Sequence, residues 1–141
     1  MFRNLPPITK NLLLINLICW LADLSLGRYG VDMTHWLGLH YVTAPDFYLW
    51  QPLTYMFMHA NFSHLFFNMF AVLMFGPALE ERWGGRRFLI YYLITGLGAA
   101  MVQETVWALQ LQPILNTVTP TMAAALANRV VTIGASGAVF G

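Results

Sequence analysis

The chain has 141 residues, of which 58% are hydrophobic and only 9% charged, with a formal net charge of +1. A soluble globular domain carries about 25% charged residues, so this balance excludes an ordinary soluble domain. The near-neutral charge leaves no basic footprint for nucleic acid.

The first apolar segment runs over residues 8–26, with Pro6 and Pro7 before it and Gly27 after it as helix limits. Arg3 and Lys10 at its start give it a superficial likeness to a signal peptide. No small-residue cleavage site follows and further apolar segments do, so it reads as a retained transmembrane helix. The single cysteine, Cys19, lies in this run without metal-ligand spacing around it and reads as a small buried hydrophobe.

Residues 27–58 differ in kind. They hold Arg28, Asp32, His35, Trp36, His40, Tyr41, Asp46, Tyr48 and Trp50, with Pro45 and Pro52 as breakers. Trp and Tyr favour the headgroup level, so this stretch is expected as a loop folded onto the bilayer surface, with short helices in it. A second membrane helix is expected over 61–79, followed by a charged turn of Glu80, Glu81, Arg82, Arg86 and Arg87 punctuated by Gly76, Pro77, Gly84 and Gly85. The third runs over 88–109; its Gly96, Gly98, Ala99 and Ala100 form a small-residue patch suited to close helix contact. Residues 110–133 form a connection with a short helix near 122–127, and a fourth membrane helix begins around Ser136.

Lysine and arginine place the loops. Arg3 and Lys10 precede the first segment, and Arg82, Arg86 and Arg87 separate the second from the third. Cytoplasmic loops carry the excess of positive charge, so the N-terminus and the 80–87 turn belong inside, and residues 27–58 and 110–133 outside. Two crossings separate the two basic sites, so the assignments agree.

Polar groups in hydrocarbon are expensive and ask for a reason. His64 and Asn68 are four residues apart, hence on one helix face. Both can donate hydrogen bonds to a developing negative charge. They could equally serve a structural polar network. With His59 and Asn61 alone nearby, and no carboxylate set, a metal site is not expected. Ser136, flanked by Gly134 and Gly137, could be a nucleophile beside the free backbone N–H groups of a helix start; Gly137 and Gly141 also have the spacing of a helix-packing motif. Glu80 and Arg82 could pair locally at the membrane edge.

Three blocks in order, His59-x4-His64-x3-Asn68, Glu80-x-Arg82-x-Gly84 and Gly134-Ala-Ser136-Gly137-Ala-Val-Phe-Gly141, resemble the N-terminal part of the rhomboid intramembrane serine proteases of bacterial type. The resemblance implies an all-α, polytopic helical membrane protein, here an incomplete rhomboid-like bundle over residues 1–141, in a bacterial inner membrane. It implies Ser136 as nucleophile, His64 and Asn68 in the oxyanion hole, His59 supporting the site and its loop, and Glu80 and Arg82 holding the fold. Substrates would be transmembrane proteins, and no cofactor is implied. Trp50-Gln51 stands where many members have Trp-Arg, so the arginine's role does not carry over. The family's base is a histidine on the sixth membrane helix, and none of His35, His40, His59 or His64 matches it. The expectation is therefore a portion of a longer protease, inactive by itself. The alternatives are an inactive truncated product or a rhomboid-like protein that binds membrane proteins without cutting them. A channel or transporter would need paired repeats or a charged pathway, and neither is visible.

Overall fold

The computed structural model describes residues 4–135 and residue 138. Among the described residues three helices are long and apolar enough to cross a membrane: α1 (Pro7–Gly27), α4 (Phe62–Trp83) and α5 (Gly85–Gln110). At 1.5 Å per residue they span about 31 to 39 Å, enough for a hydrocarbon core of about 30 Å. Between α1 and α4 lie α2 (Met33–Leu37), β1 (Leu39–His40), α3 (Gln51–Thr54) and a 3-10 turn (Tyr55–Phe57); after α5 come α6 (Gln112–Leu115), α7 (Pro120–Arg129) and β2 (Val131–Thr132). The fold is helical, as its composition implies, with one minor antiparallel pair in which Leu39 faces Thr132 and His40 faces Val131.

Each long helix buries a narrow stripe. In α1 it is Thr9, Leu12 and Asn16, while Leu14, Ile15, Ile18 and Leu21 stand exposed. On α4, Phe66, Phe67, Phe70, Met74 and Phe75 are likewise exposed. So much contiguous apolar surface marks a membrane-facing wall, and the chain is an integral membrane protein. Cys19, expected as buried, is only half-buried on α1.

Two boundaries differ from those expected. The second segment continues past residue 79 to Trp83, and Gly76 and Pro77, expected as punctuation, lie inside α4 without interrupting it. A proline there forfeits one backbone bond, a loss that membrane helices tolerate where neighbours pack around it. The expected charged turn shrinks to Gly84, whose φ of +85° suits glycine; Glu80–Arg82 belong to the last turn of α4, and Arg86 and Arg87 to the first of α5. Of the small-residue patch on α5, Gly96 is tightly covered, but Gly98 meets nothing within 4 Å among the described residues.

The 27–58 loop packs into the core of the bundle. Leu39, Tyr41, Ala44, Tyr55 and Met56 are buried in one cluster with Leu12, Val72 and Tyr92 of the long helices. Gln51, fully buried, organises the loop: Oε1 accepts the His40 N–H at 3.2 Å, and Nε2 donates to the carbonyls of Asp46 (2.8 Å) and Trp36 (3.3 Å). The loop also docks on the 110–133 connection. Tyr41 donates to Gln112 Oε1 at 2.9 Å, and Asp46 and Asn128 exchange two bonds of 3.1 Å. Both connections thus sit at one end of the bundle. The helix expected at 122–127 is the longer α7, started by Pro120 and capped by Thr119 Oγ1 on the Met122 N–H. The fourth membrane helix expected from around Ser136 falls outside the described residues, apart from Ala138.

The opposite end is fixed by Glu80. One carboxylate oxygen accepts the Ile8 N–H at 2.8 Å; the other accepts the Thr9 N–H at 2.7 Å and the Thr9 hydroxyl at 2.8 Å. The first N–H groups of a helix have no partner within it, and α1 has no capping side chain of its own. One turn away, Thr9 packs against Gly76 so closely that a Cβ on Gly76 would lie 2.9 Å from its side chain. Glu80 therefore caps α1 and makes no ion pair with Arg82, which is exposed; the local pairing expected from sequence is corrected. Replacing Glu80 by Ala should lower stability by about 2 kcal/mol, because the buried Thr9 amide and hydroxyl and the part-buried Ile8 amide lose their acceptor. Arg82→Ala should cost less than about 0.5 kcal/mol. Unfolding in mixed detergent micelles measures both, and equal losses would show that charge, not the cap, matters here.

Candidate active site

The α4 entry is set by Asn61, whose Oδ1 accepts the His64 N–H at 2.8 Å as an N-cap. This aims the first turn of α4 at the chain that follows β2. There His59, His64 and Gly134 converge. The Gly134 N–H donates to the Tyr55 carbonyl at 2.9 Å. The next amide, Ala135 N–H, donates to His59 Nε2 at 3.3 Å. Gly134 itself has φ of +116°, and a Cβ there would fall 2.6 Å from His64 Nε2. Glycine is required on both counts: the dihedral is poor for other residues, and the imidazole occupies the side-chain space.

The two imidazoles lie 5.0 Å apart between centroids, inclined at 67°, and their bonding fixes different proton positions. His59 accepts at Nε2, so a neutral ring carries its proton on Nδ1. His64 accepts the Ala60 N–H at Nδ1, 3.4 Å away, which leaves Nε2–H as the donor of a neutral ring, beside Gly134 where a side chain would otherwise lie. Among the described residues no third His, Cys, Asp or Glu joins them in a metal-holding group.

Asn68, nearly buried, donates from Nδ2 to the His64 carbonyl at 2.8 Å, within its own helix. That leaves one amide hydrogen unassigned. Glu80 and Arg82 are 16 and 18 residues beyond His64 on the same helix, about 24 Å or more away, so they belong to the fold and not to this cluster. Ser136 and Gly137, the expected nucleophile and its neighbour, lie outside the described residues. Sequence reasoning missed Tyr55, whose carbonyl is part of the cluster; a tyrosine among so many interfacial aromatics carries no separate signal.

Fold and site together describe a helical membrane protein with a polar cluster at one end of its bundle, next to a glycine turn. A family model, the Rhomboid domain, matches residues 46–141. The chain belongs to the rhomboid family. It is 34% identical over 130 residues to Rhomboid-like protein 11, chloroplastic, of Arabidopsis thaliana, covering 92% of this chain and 38% of that protein. It is 35% identical over 92 residues to RHOMBOID-like protein 6, mitochondrial, of the same plant (65% and 24%). Against the Rhomboid protease GlpG of Klebsiella pneumoniae it is 29% identical over 102 residues (72% and 36%). The chain thus spans well under half the length of these relatives.

Burial drives the His59 imidazole down to about 4, with the adjacent His64 adding to the effect and the Phe57 backbone opposing it. An unfolded histidine titrates near 6.5. Between these values the unfolded chain binds the proton that the folded one refuses, so stability rises with pH there. Stability should fall as pH drops from about 6.5 to about 4 and level off below. Thermal unfolding in detergent across this range measures it. The slope should shrink in His59→Gln, which does not titrate; an unchanged slope would place the sensitive group elsewhere.

Proposed function

We propose that this chain supplies the nucleophile and oxyanion side of a serine endopeptidase that cuts transmembrane proteins at or within the bilayer. The observation that carries the reading is the held turn just before Ser136: Gly134 on the Tyr55 carbonyl, Ala135 on His59, and the Nε2–H of His64 facing Gly134. A donor held beside the turn before the substrate arrives is the kind of arrangement that stabilises an oxyanion without reorganisation.

In the proposed reaction the Ser136 hydroxyl oxygen bonds to the scissile carbonyl carbon, and its proton passes to a base. The family resemblance assigns that base to a histidine on a later helix. The carbonyl oxygen becomes the oxyanion, bound by His64, by the spare amide hydrogen of Asn68 and by backbone N–H. Collapse breaks the C–N bond as the base returns the proton to the leaving amine. Water then attacks the acyl-enzyme, giving the new carboxyl end and restoring the serine. The substrate must unwind locally, because a helix keeps its carbonyls in hydrogen bonds.

In the full-length parent protein, Ser136→Ala should abolish cleavage of a model transmembrane substrate without changing the fold. His64→Ala and Asn68→Ala should lower kcat by roughly ten- to a thousandfold. Cleavage persisting in Ser136→Ala would defeat the nucleophile. Substrate capture without cleavage by the unaltered parent would instead favour a binding protein of the same fold.

We further infer that the protein lies in a bacterial plasma membrane with its N-terminus and the α4–α5 link in the cytoplasm. The orientation is supported by the placement of Lys10, Arg82, Arg86 and Arg87 at one end of the bundle, and the bacterial setting by the motif resemblance alone. In a Cys19→Ala background, Tyr29→Cys, at an 85% exposed position, should react with an impermeant thiol reagent from outside intact cells, and Arg86→Cys only after permeabilisation. Labelling of Arg86→Cys from outside would reverse the orientation.

A further inference from the structure

We propose that Tyr55 is a positioning residue that fixes the nucleophile turn against the middle of α5. The inference rests on the protease reading above.

Tyr55 is buried and bonds in two directions. Its backbone carbonyl takes the Gly134 N–H at 2.9 Å, and its phenol donates to the Gly96 carbonyl at 2.6 Å. Gly96 lies eleven residues into α5, well away from the helix ends where carbonyls lack partners. A carbonyl has two acceptor positions, so the phenol adds a bond without breaking the helix. The glycine is what lets the loop come so near, because a Cβ on Gly96 would lie 2.9 Å from the sulfur of Met56, the next residue along. Burial pushes the Tyr55 phenol up, so it stays a donor at any ordinary pH.

Ser136 follows the anchored Gly134 by two residues in sequence, and Gly134 is held through Tyr55 to Gly96. The adjacent Thr95 adds no comparable tie: its hydroxyl approaches the Ala138 carbonyl at 3.3 Å but has nearer acceptors in the carbonyls of Tyr91 (2.8 Å) and Tyr92 (3.1 Å). Displacing such a turn by about 1 Å is enough to cost up to a hundredfold in rate. The Tyr55 phenol is the one part of this tie that substitution can remove while leaving the carbonyl in place.

The test uses the full-length parent with a transmembrane substrate in detergent or liposomes. Tyr55→Phe should lower kcat by about ten- to a hundredfold with KM within about twofold. Gly96→Ala keeps the carbonyl that accepts the phenol but crowds Met56, the neighbour of Tyr55, so it should disturb the same approach of loop to helix, and the double variant should fall short of the product of the two single effects. Thr54→Val is the control: its hydroxyl bonds only to the Leu37 carbonyl, at 2.7 Å, inside the same loop. It should lower thermal stability and leave kcat unchanged. Wild-type kcat in Tyr55→Phe would overturn the inference. So would equal kcat losses in Tyr55→Phe and Thr54→Val, since loop stability alone would then account for both. Either result leaves the protease reading intact provided that Ser136→Ala still abolishes cleavage.

Discussion

The Glu80 carboxylate is the constraint from which the rest of the bundle is laid out. A transmembrane helix satisfies its own backbone except at its ends. The start of α1 has Pro6 at its N-cap and Pro7 as its first residue, and no side-chain cap of its own. Glu80 reaches across from α4 and takes both the Ile8 and the Thr9 amides. A charged acceptor makes these bonds stronger than neutral ones. Its geometry also sets the register of α1 on α4, because the same Thr9 that receives Glu80 packs on Gly76. With Gly84 as the whole of the link to α5, three helices are located by a few atoms at one end of the bundle.

That economy at one end frees the other end to be irregular. The 27–58 loop can bury polar atoms only by giving them hydrogen-bond partners within the protein. Gln51 shows how: one amide side chain serves an N–H and two carbonyls from three parts of the loop. Where arginine would bring a charge to this position, glutamine brings both a donor and an acceptor. The loop is therefore a folded platform, and its Tyr55 and His59 are firm enough to hold a backbone turn.

The membrane helices were legible in the sequence because an uncharged apolar run of bilayer length is what a membrane crossing requires and what a soluble fold seldom contains. Their ends were less so. Gly76 and Pro77 looked like breakers, but a breaker residue reports local preference, and α4 continues because Thr9 and Glu80 engage across the helix pair. His59 and His64 stood out as polar residues in an apolar chain, and the structure brings both to Gly134. Nothing in the local sequence says that Gly134 needs a positive φ and a ring against its α-carbon. Tyr55 was invisible for the opposite reason: its partners, Gly96 and Gly134, are 41 and 79 residues away, and backbone carbonyls leave no trace in a sequence.

Helix α4 thus has two functions separated by its own length. Its last turn carries the carboxylate that fixes the bundle, and its first turn carries the imidazole that faces the glycine turn. A rigid helix is a good way to connect them, since the position of His64 is then set by packing about 24 Å away. The complementary proton positions of the two imidazoles follow from that placement. His59 must accept from Ala135, and burial keeps it neutral enough to do so. His64 accepts at Nδ1 and so presents a proton at Nε2. Two residues of one type are made an acceptor and a donor by backbone amides alone, and the pair keeps these roles only while the Gly134 turn stays where the loop and α5 hold it.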